Sequence, residues 1–271
     1  MVEIIPSFTQ SNIPLFIKQF KNAQPYSHII IDDALESNMA TLLQDEIMNV
    51  NIENFDRYDN PFEQKYTLRD KYNFPNHLSN LFATFESSEF VNYLSAITQS
   101  ELLLDPTRNF WGVHKYKSGD KLDIHLDASY HPITLDKKHI TLGLYLSSNW
   151  KSEYGCELEL WDSCMDENSF LKHKLVGCVT KVAPLFNRMI LFENGPNSWH
   201  GNPEPCECPS DAFRIFVTIS YMIKSHDILN KRTKALFIAR PNDPIDPIKD
   251  ELRLLRSDPV KYKEIYRMNM N

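Results

Sequence analysis

Glycine is scarce in this chain, at seven of 271 residues. No Gly-rich phosphate loop and no G-x-S-x-G elbow is present, so nucleotide-dependent and serine-hydrolase chemistries lack support. No apolar run approaches the roughly 18 residues that a membrane-spanning helix needs. Positive charge is also short, with 29 Lys+Arg against 36 Asp+Glu and a formal net charge of −7. Neither nucleic acid nor an anionic membrane is an expected partner, because both reward clustered cations. The opening Met-Val-Glu-Ile-Ile-Pro-Ser has neither a basic n-region nor an apolar h-region, so no secretory signal is expected. Cysteines number five (Cys156, Cys164, Cys178, Cys206 and Cys208), an odd and unevenly spaced set that does not read as a disulfide framework. A reducing, cytoplasmic setting is the expectation. Cys206-Glu-Cys208 lacks the second pair that structural zinc requires and reads as plain loop. No feature specifies an oligomeric state.

What is present suits a well-filled core: 42% hydrophobic and 12% aromatic residues, with 24% charged residues to keep it wetted. The length fits one large β-type domain with helical additions, or two small domains. Without repeats or flexible linkers, the chain reads as one compact unit of three stretches.

Residues 1–105 are expected to be a mostly helical support region. Leu35, Met39, Leu42, Leu43 and Ile47 share one helical face behind Asp33 as a cap. Leu78, Leu81, Phe82 and Phe85 repeat the pattern, and Phe90, Val91 and Leu94 begin another helix behind Ser88. Residues 51–75 hold Phe55, Tyr58, Phe62, Tyr66, Tyr72 and Phe74 without clear periodicity, and are expected to form a long ordered loop or lid. Residues 106–222 change character, with strands at 140–146, 188–192 and 214–221 separated by Gly, Pro and Asn turns. Many short strands in one block suggest a sandwich or double-sheet jelly roll. Residues 223–271 return to helix, where Asp246-Pro247 and Asp258-Pro259 each set a capping carboxylate before a proline. The helices that follow carry Leu252, Leu255, Tyr262, Ile265 and Tyr266. The fold class is mainly β with helical additions (α+β), a jelly-roll core flanked by N- and C-terminal helices.

Three residues stand out chemically. In a strand, positions i and i+2 face one side, so His125 and Asp127 can point together into a barrel while Leu126 packs outward. His200, from a distant strand, can complete a two-histidine, one-carboxylate face of the kind that suits Fe(II) and leaves coordination positions open. Downstream, Arg214, Phe216, Thr218 and Ser220 alternate with Ile215, Val217, Ile219 and Tyr221, giving one polar face and one apolar face. A buried arginine needs an anion, and its planar fork fits a carboxylate. Thr141, Gly143 and Tyr145 share a strand face, on which Gly143 would leave room beside a metal. His131 and His139 read as solvated loop residues, and Lys121, Lys137 and Lys138 as a wetted rim.

These residues occur in a familiar order. Tyr116-Lys-Ser-Gly119, His125-Leu-Asp127, Tyr145-Leu-Ser-Ser-Asn-Trp150, Gly155-Cys-Glu-Leu-Glu-Leu160, Val182-Ala-Pro184, Asn187-Arg188, Trp199-His200-Gly201 and Arg214 follow one another. Over about 110–222 the sequence resembles the Fe(II)/2-oxoglutarate-dependent dioxygenases, in their prolyl 4-hydroxylase-like branch. The resemblance implies a double-stranded β-helix and a catalytic metal triad of His125, Asp127 and His200. It implies Arg214 as holder of the C5 carboxylate of 2-oxoglutarate, assisted by Thr218, with Tyr145 and Tyr116 lining the co-substrate pocket. One departure is the longer interval from His200 to Arg214.

The implied reaction is hydroxylation of a C–H bond with Fe(II), 2-oxoglutarate and O2, releasing succinate and CO2, with L-ascorbate keeping the iron ferrous. Implied substrates are prolyl residues of a peptide or protein, or a free amino acid, sugar or other small metabolite. Two readings of other classes remain: a non-catalytic jelly-roll protein that binds a ligand or metal, and an interaction module whose helical ends dock a partner.

Overall fold

The structure is a computed structural model that describes residues 8–169, 171–225 and 232–258. Its helices are α1 (Ile13–Asn22), α2 (Ser37–Asn49), α3 (Asn76–Phe85), α4 (Ser88–Thr98) and α5 (Pro247–Ser257). The N-terminal strands are β1 (His28–Ile31), β2 (Asp56–Asn60), β3 (Glu63–Leu68) and β4 (Leu103–Leu104). The central block holds β5 (Trp111–Tyr116), β6 (Leu122–Leu126), β7 (Lys137–Tyr145), β8 (Leu158–Met165) and β9 (His173–Val182). It continues through β10 (Arg188–Glu193), β11 (Trp199–Asn202) and β12 (Arg214–Ile223), with β13 (Leu236–Phe237) beyond.

All strand pairings run antiparallel in one curled sheet of order β1-β10-β7-β12-β5-β3-β6-β11-β8-β9, with β2 on β3, β4 on β12 and β13 on β6. Curling brings the β6–β11–β8 part over the β7–β12–β5 part, as in a jelly roll. Alternation along the strands sorts their two faces. Ile140, Leu142 and Leu144 of β7 join Ile215, Val217, Ile219 and Tyr221 of β12 in the main core. Against them pack Phe16 and Phe20 of α1, Leu43 and Ile47 of α2, Leu78, Leu81, Phe82 and Phe85 of α3, and Phe90 and Leu94 of α4. The opposite, polar face of β12 looks into the curl.

Three expectations need correction. Residues 51–75 are not simply a loop, since β2 and β3 form a hairpin that joins the sheet through β5 and β6. In α2 the helix starts after Glu36 and not at Asp33, whose positive φ of 50° places it in the preceding turn. Leu42 is exposed there, and Ala40 takes its place inward. The cysteines are not all unpaired: Cys156 and Cys206 form a disulfide, leaving Cys164, Cys178 and Cys208 free. That bond ties the start of β8 to the longer segment between His200 and Arg214.

The C-terminal helix docks in an unexpected way. Asp246 caps α5 by accepting from the Lys249 backbone N–H at 3.0 Å, as its Asp-Pro signature predicts. Its buried residues are Arg253 and Arg256, whereas Leu252 and Leu255 are only partly covered. Lys249 and Arg253 reach Asp123 of β6 at 2.5 and 3.9 Å, and Arg256 lies over the Phe237 ring at 4.9 Å. The helix expected after Pro259, with Tyr262, Ile265 and Tyr266, lies outside the described residues. No helix among the described residues is long and apolar enough to cross a membrane.

Candidate metal and co-substrate site

His125 and His200 are direct partners in the β6–β11 register, and their rings lie 4.4 Å apart. Gly201 makes this approach possible. A Cβ there would sit 2.7 Å from the carbonyl oxygens of both Leu122 and Asp123, closer than real side chains come to backbone. Asp127 follows the end of β6 and turns back to them. Its Oδ1 is 3.4 Å from His125 Nε2 and its Oδ2 is 3.9 Å from His200 Nε2. One donor atom from each residue lies within 4.8 Å of the others, a spacing that a single cation can bridge.

The rest of each ligand is already tied. His125 Nδ1 meets the Asp123 carbonyl at 2.9 Å and His200 Nδ1 meets the Ser198 carbonyl at 2.8 Å. A carbonyl only accepts, so both Nδ1 atoms carry the proton and both Nε2 lone pairs point inward, ready for a metal. Burial, then the neighbouring His125, lowers the His200 pKa to about 4, so the imidazole stays neutral. Asp127 is held well below the usual carboxylate range. Burial alone would raise it, but Lys138, then the two histidines, overcome that. Lys138 Nζ lies 2.6 Å from Asp127 Oδ2. The Asn194 amide, oriented so that its oxygen accepts from Thr141, donates to the same Oδ2 at 3.1 Å. These two donors hold one carboxylate oxygen, and the other lies nearer His125.

A cavity opens from this face, and Tyr116, Leu158, Phe192, Arg214 and Phe216 line it together with the triad. Arg214 is 2% exposed, and no carboxylate pairs with it among the described residues. Its guanidinium lies 4.8 Å from the Tyr116 ring centre, 5.0 Å from Tyr145 and 5.4 Å from Phe216. Its one side-chain hydrogen bond runs from Nη2 to the Tyr145 hydroxyl at 3.4 Å, and its buried Nε has no partner. An unpaired buried guanidinium is costly, so this end of the cavity is built to receive an anion.

Residues 111–221 match the family model described as the 2OG-Fe(II) oxygenase superfamily. Over those residues the chain is similar to the 2OG-Fe(II) oxygenases. Solved structures with the same fold include a prolyl-4-hydroxylase from Pseudomonas putida, with a TM-score of 0.58 at 13% identity over 79% of this chain and 100% of that one. A Trichoplax adhaerens prolyl hydroxylase, solved with a hypoxia-inducible-factor peptide, gives 0.52 at 19% identity over 79% and 91%. A prolyl 4-hydroxylase from Phytophthora capsici gives 0.51 at 20% identity, over 97% of this chain and 79% of that one. No curated protein matches in sequence. The superfamily's chemistry joins Fe(II), 2-oxoglutarate and O2, and both the ligand set and the orphaned Arg214 fit those groups.

Other expected residues of the oxygenase fall as follows. Tyr116 is the register partner of Arg214, and Tyr145 is that of Phe216. Thr218 lines the cavity, but its hydroxyl donates to the Leu142 carbonyl at 2.9 Å. Gly143 makes room for a neighbour rather than for a metal, since a Cβ there would lie 1.9 Å from Phe216 Cζ. His131 and His139 are buried, not solvated: His131 Nε2 meets Thr107 Oγ1 at 2.7 Å, and His139 Nε2 meets Ser100 Oγ at 2.8 Å. Lys138, expected on a wet rim, is the buried partner of Asp127. The adjacent Lys137 disguised it, although strand alternation would have separated the two.

Proposed function

We propose that this oxygenase hydroxylates an unactivated C–H bond of its substrate, using 2-oxoglutarate and O2 and releasing succinate and CO2. His125, Asp127 and His200 hold Fe(II), and Arg214 takes the C5 carboxylate of 2-oxoglutarate. The observation that carries this reading is the unpaired, buried Arg214 in the same cavity as a three-ligand face whose Nε2 atoms are free. When bound, the metal supplies the oxygen activation and redox chemistry that side chains lack.

The chain does the positioning. Two backbone carbonyls fix the imidazole tautomers, and Lys138 keeps Asp127 anionic. Tyr116, Tyr145 and Phe216 enclose the guanidinium, so its bond to a carboxylate forms away from water, where it is stronger. Residues 106–222 form the catalytic core in this reading, with 1–105 as support and 223–271 as a C-terminal extension. L-Ascorbate serves as reductant, and the compartment is cytoplasmic. Prolyl residues are the first substrate class to try, because the fold is shared with prolyl hydroxylases, and small metabolites are the second.

Succinate release measured against iron and 2-oxoglutarate tests the proposal. Turnover should need both, and His200→Ala or Asp127→Ala should abolish it. Undiminished succinate formation in either variant would refute the assignment.

A further inference from the structure

Apart from the metal face and Arg214, the charged side chains lining the cavity are Lys65, Arg69 and Lys138, all cations. Asp127 is the one carboxylate in that lining. For a chain of net charge −7 this is a marked local excess. Lys138 is committed to Asp127, and Lys65 to Glu63 at 2.9 Å. Arg69 differs: it is exposed, and among the described residues no carboxylate pairs with it.

Its path is built into the sheet. Arg69 leaves the end of β3, and its stem passes over Gly112 of β5. A Cβ at Gly112 would lie 3.3 Å from Arg69 Cγ and 2.8 Å from the Leu68 carbonyl oxygen. Gly112 also has a φ of +149°, which side chains rarely adopt. The missing side chain therefore opens the way for Arg69 into the curl.

Register places the two arginines apart. Gly112 pairs with Thr218 on β12, whereas Arg214 pairs with Tyr116. Four residues along a strand correspond to about 13 Å. Arg214, 2% exposed, thus marks the ring-enclosed end of the floor, and Arg69, itself exposed, enters over the other part. His114 lies on the floor between them, its Nδ1 2.9 Å from the buried Thr67 hydroxyl. Burial, then Lys65, Arg69 and Arg214, hold its pKa well below normal, so it adds no positive charge and can hydrogen-bond as a neutral ring.

We propose that Arg69 anchors an anionic group, a carboxylate or a phosphate ester, on the oxygenase's primary substrate, at a position separate from that of 2-oxoglutarate. The proposal rests on the co-substrate reading, because it takes Arg214 as already occupied. Two separated cations let two anions share one cavity without facing each other, and a guanidinium fork at the other end fixes the second by paired hydrogen bonds.

The test uses the full chain, anaerobic and loaded with Mn(II) and saturating 2-oxoglutarate, titrated calorimetrically with inorganic phosphate and, separately, with acetate. Saturable binding of phosphate points to a phosphate ester, and of acetate to a carboxylate. The expected result is binding of at least one, weakened at least tenfold in Arg69→Gln and unchanged in the remote Lys18→Gln, with 2-oxoglutarate affinity equal in all three proteins. Equal anion binding by Arg69→Gln overturns the proposal, as does 2-oxoglutarate binding with no second anion site. If wild type binds no 2-oxoglutarate at all, the co-substrate reading fails and this one with it.

Discussion

The two ends of the cavity are finished to different degrees. At the face formed by His125, Asp127 and His200 every side chain is tied down: each Nδ1 by a backbone carbonyl, Asp127 by Lys138 and Asn194. At the Arg214 end a buried guanidinium has one long contact and an Nε with none. The first arrangement needs little rearrangement to accept a cation. The second is under-satisfied by itself and gains most when an anion arrives. One end is pre-organised, and the other is waiting.

The largest break in this comparison should come from Gly201→Ala. The added Cβ meets two backbone oxygens at 2.7 Å, so β11 must move off β6 and carry His200 away from His125. Misplaced ligands should weaken Mn(II) or Fe(II) binding by roughly tenfold or more, read by metal titration. Arg214→Ala should spare metal affinity and raise the 2-oxoglutarate requirement about ten- to a hundredfold, the size of a lost charged hydrogen bond. An unchanged requirement would mean that another cation holds the dicarboxylate.

Lys138→Met asks whether the metal face depends on its buried counter-ion. Stranding Asp127 should cost the metal-free protein roughly 3 kcal/mol, and added metal should recover part of that by replacing the lost positive charge. Thermal unfolding with and without Mn(II) measures both. Acidification acts on the same face. The His200 pKa lies at about 4 against an ordinary 6.5, so the unfolded chain takes up this proton first. Stability should therefore fall by about 3 kcal/mol as pH drops from 6.5 to 4 and then level off for this group. Asp127, held low, adds a further loss below its ordinary range. Urea unfolding of the metal-free protein across that window supplies the check.

How much of this could be read from residues depends on whether a strand buries what its composition advertises. In β12 the apolar positions are the core positions, and Arg214 stands out on the other face, so the strand and the placement of Arg214 were legible. The clustering of His125, Asp127 and His200 was legible too, although Asp127 lies one residue past the end of β6 and reaches the histidines by turning back. In β3 Glu63, Lys65 and Thr67 are buried along with Leu68, while Gln64 and Tyr66 are less covered. That inverts the usual hydrophobic alternation and hid the strand inside an aromatic loop. The Cys156–Cys206 bond spans 50 residues and carries no local signature. In α5 the inward face is built from arginines over aromatic rings and beside a carboxylate, which helical periodicity of leucines cannot anticipate.

Asp123 links the two faces of β6. Its side chain takes Lys121, Lys249 and Arg253, and its backbone carbonyl orients the imidazole of His125. The C-terminal helix thus acts as a remote set-screw on His125, bearing on it through a single shared residue. Sequence drift in that helix, far along the chain, would be felt as a change in how firmly the His125 ring is held.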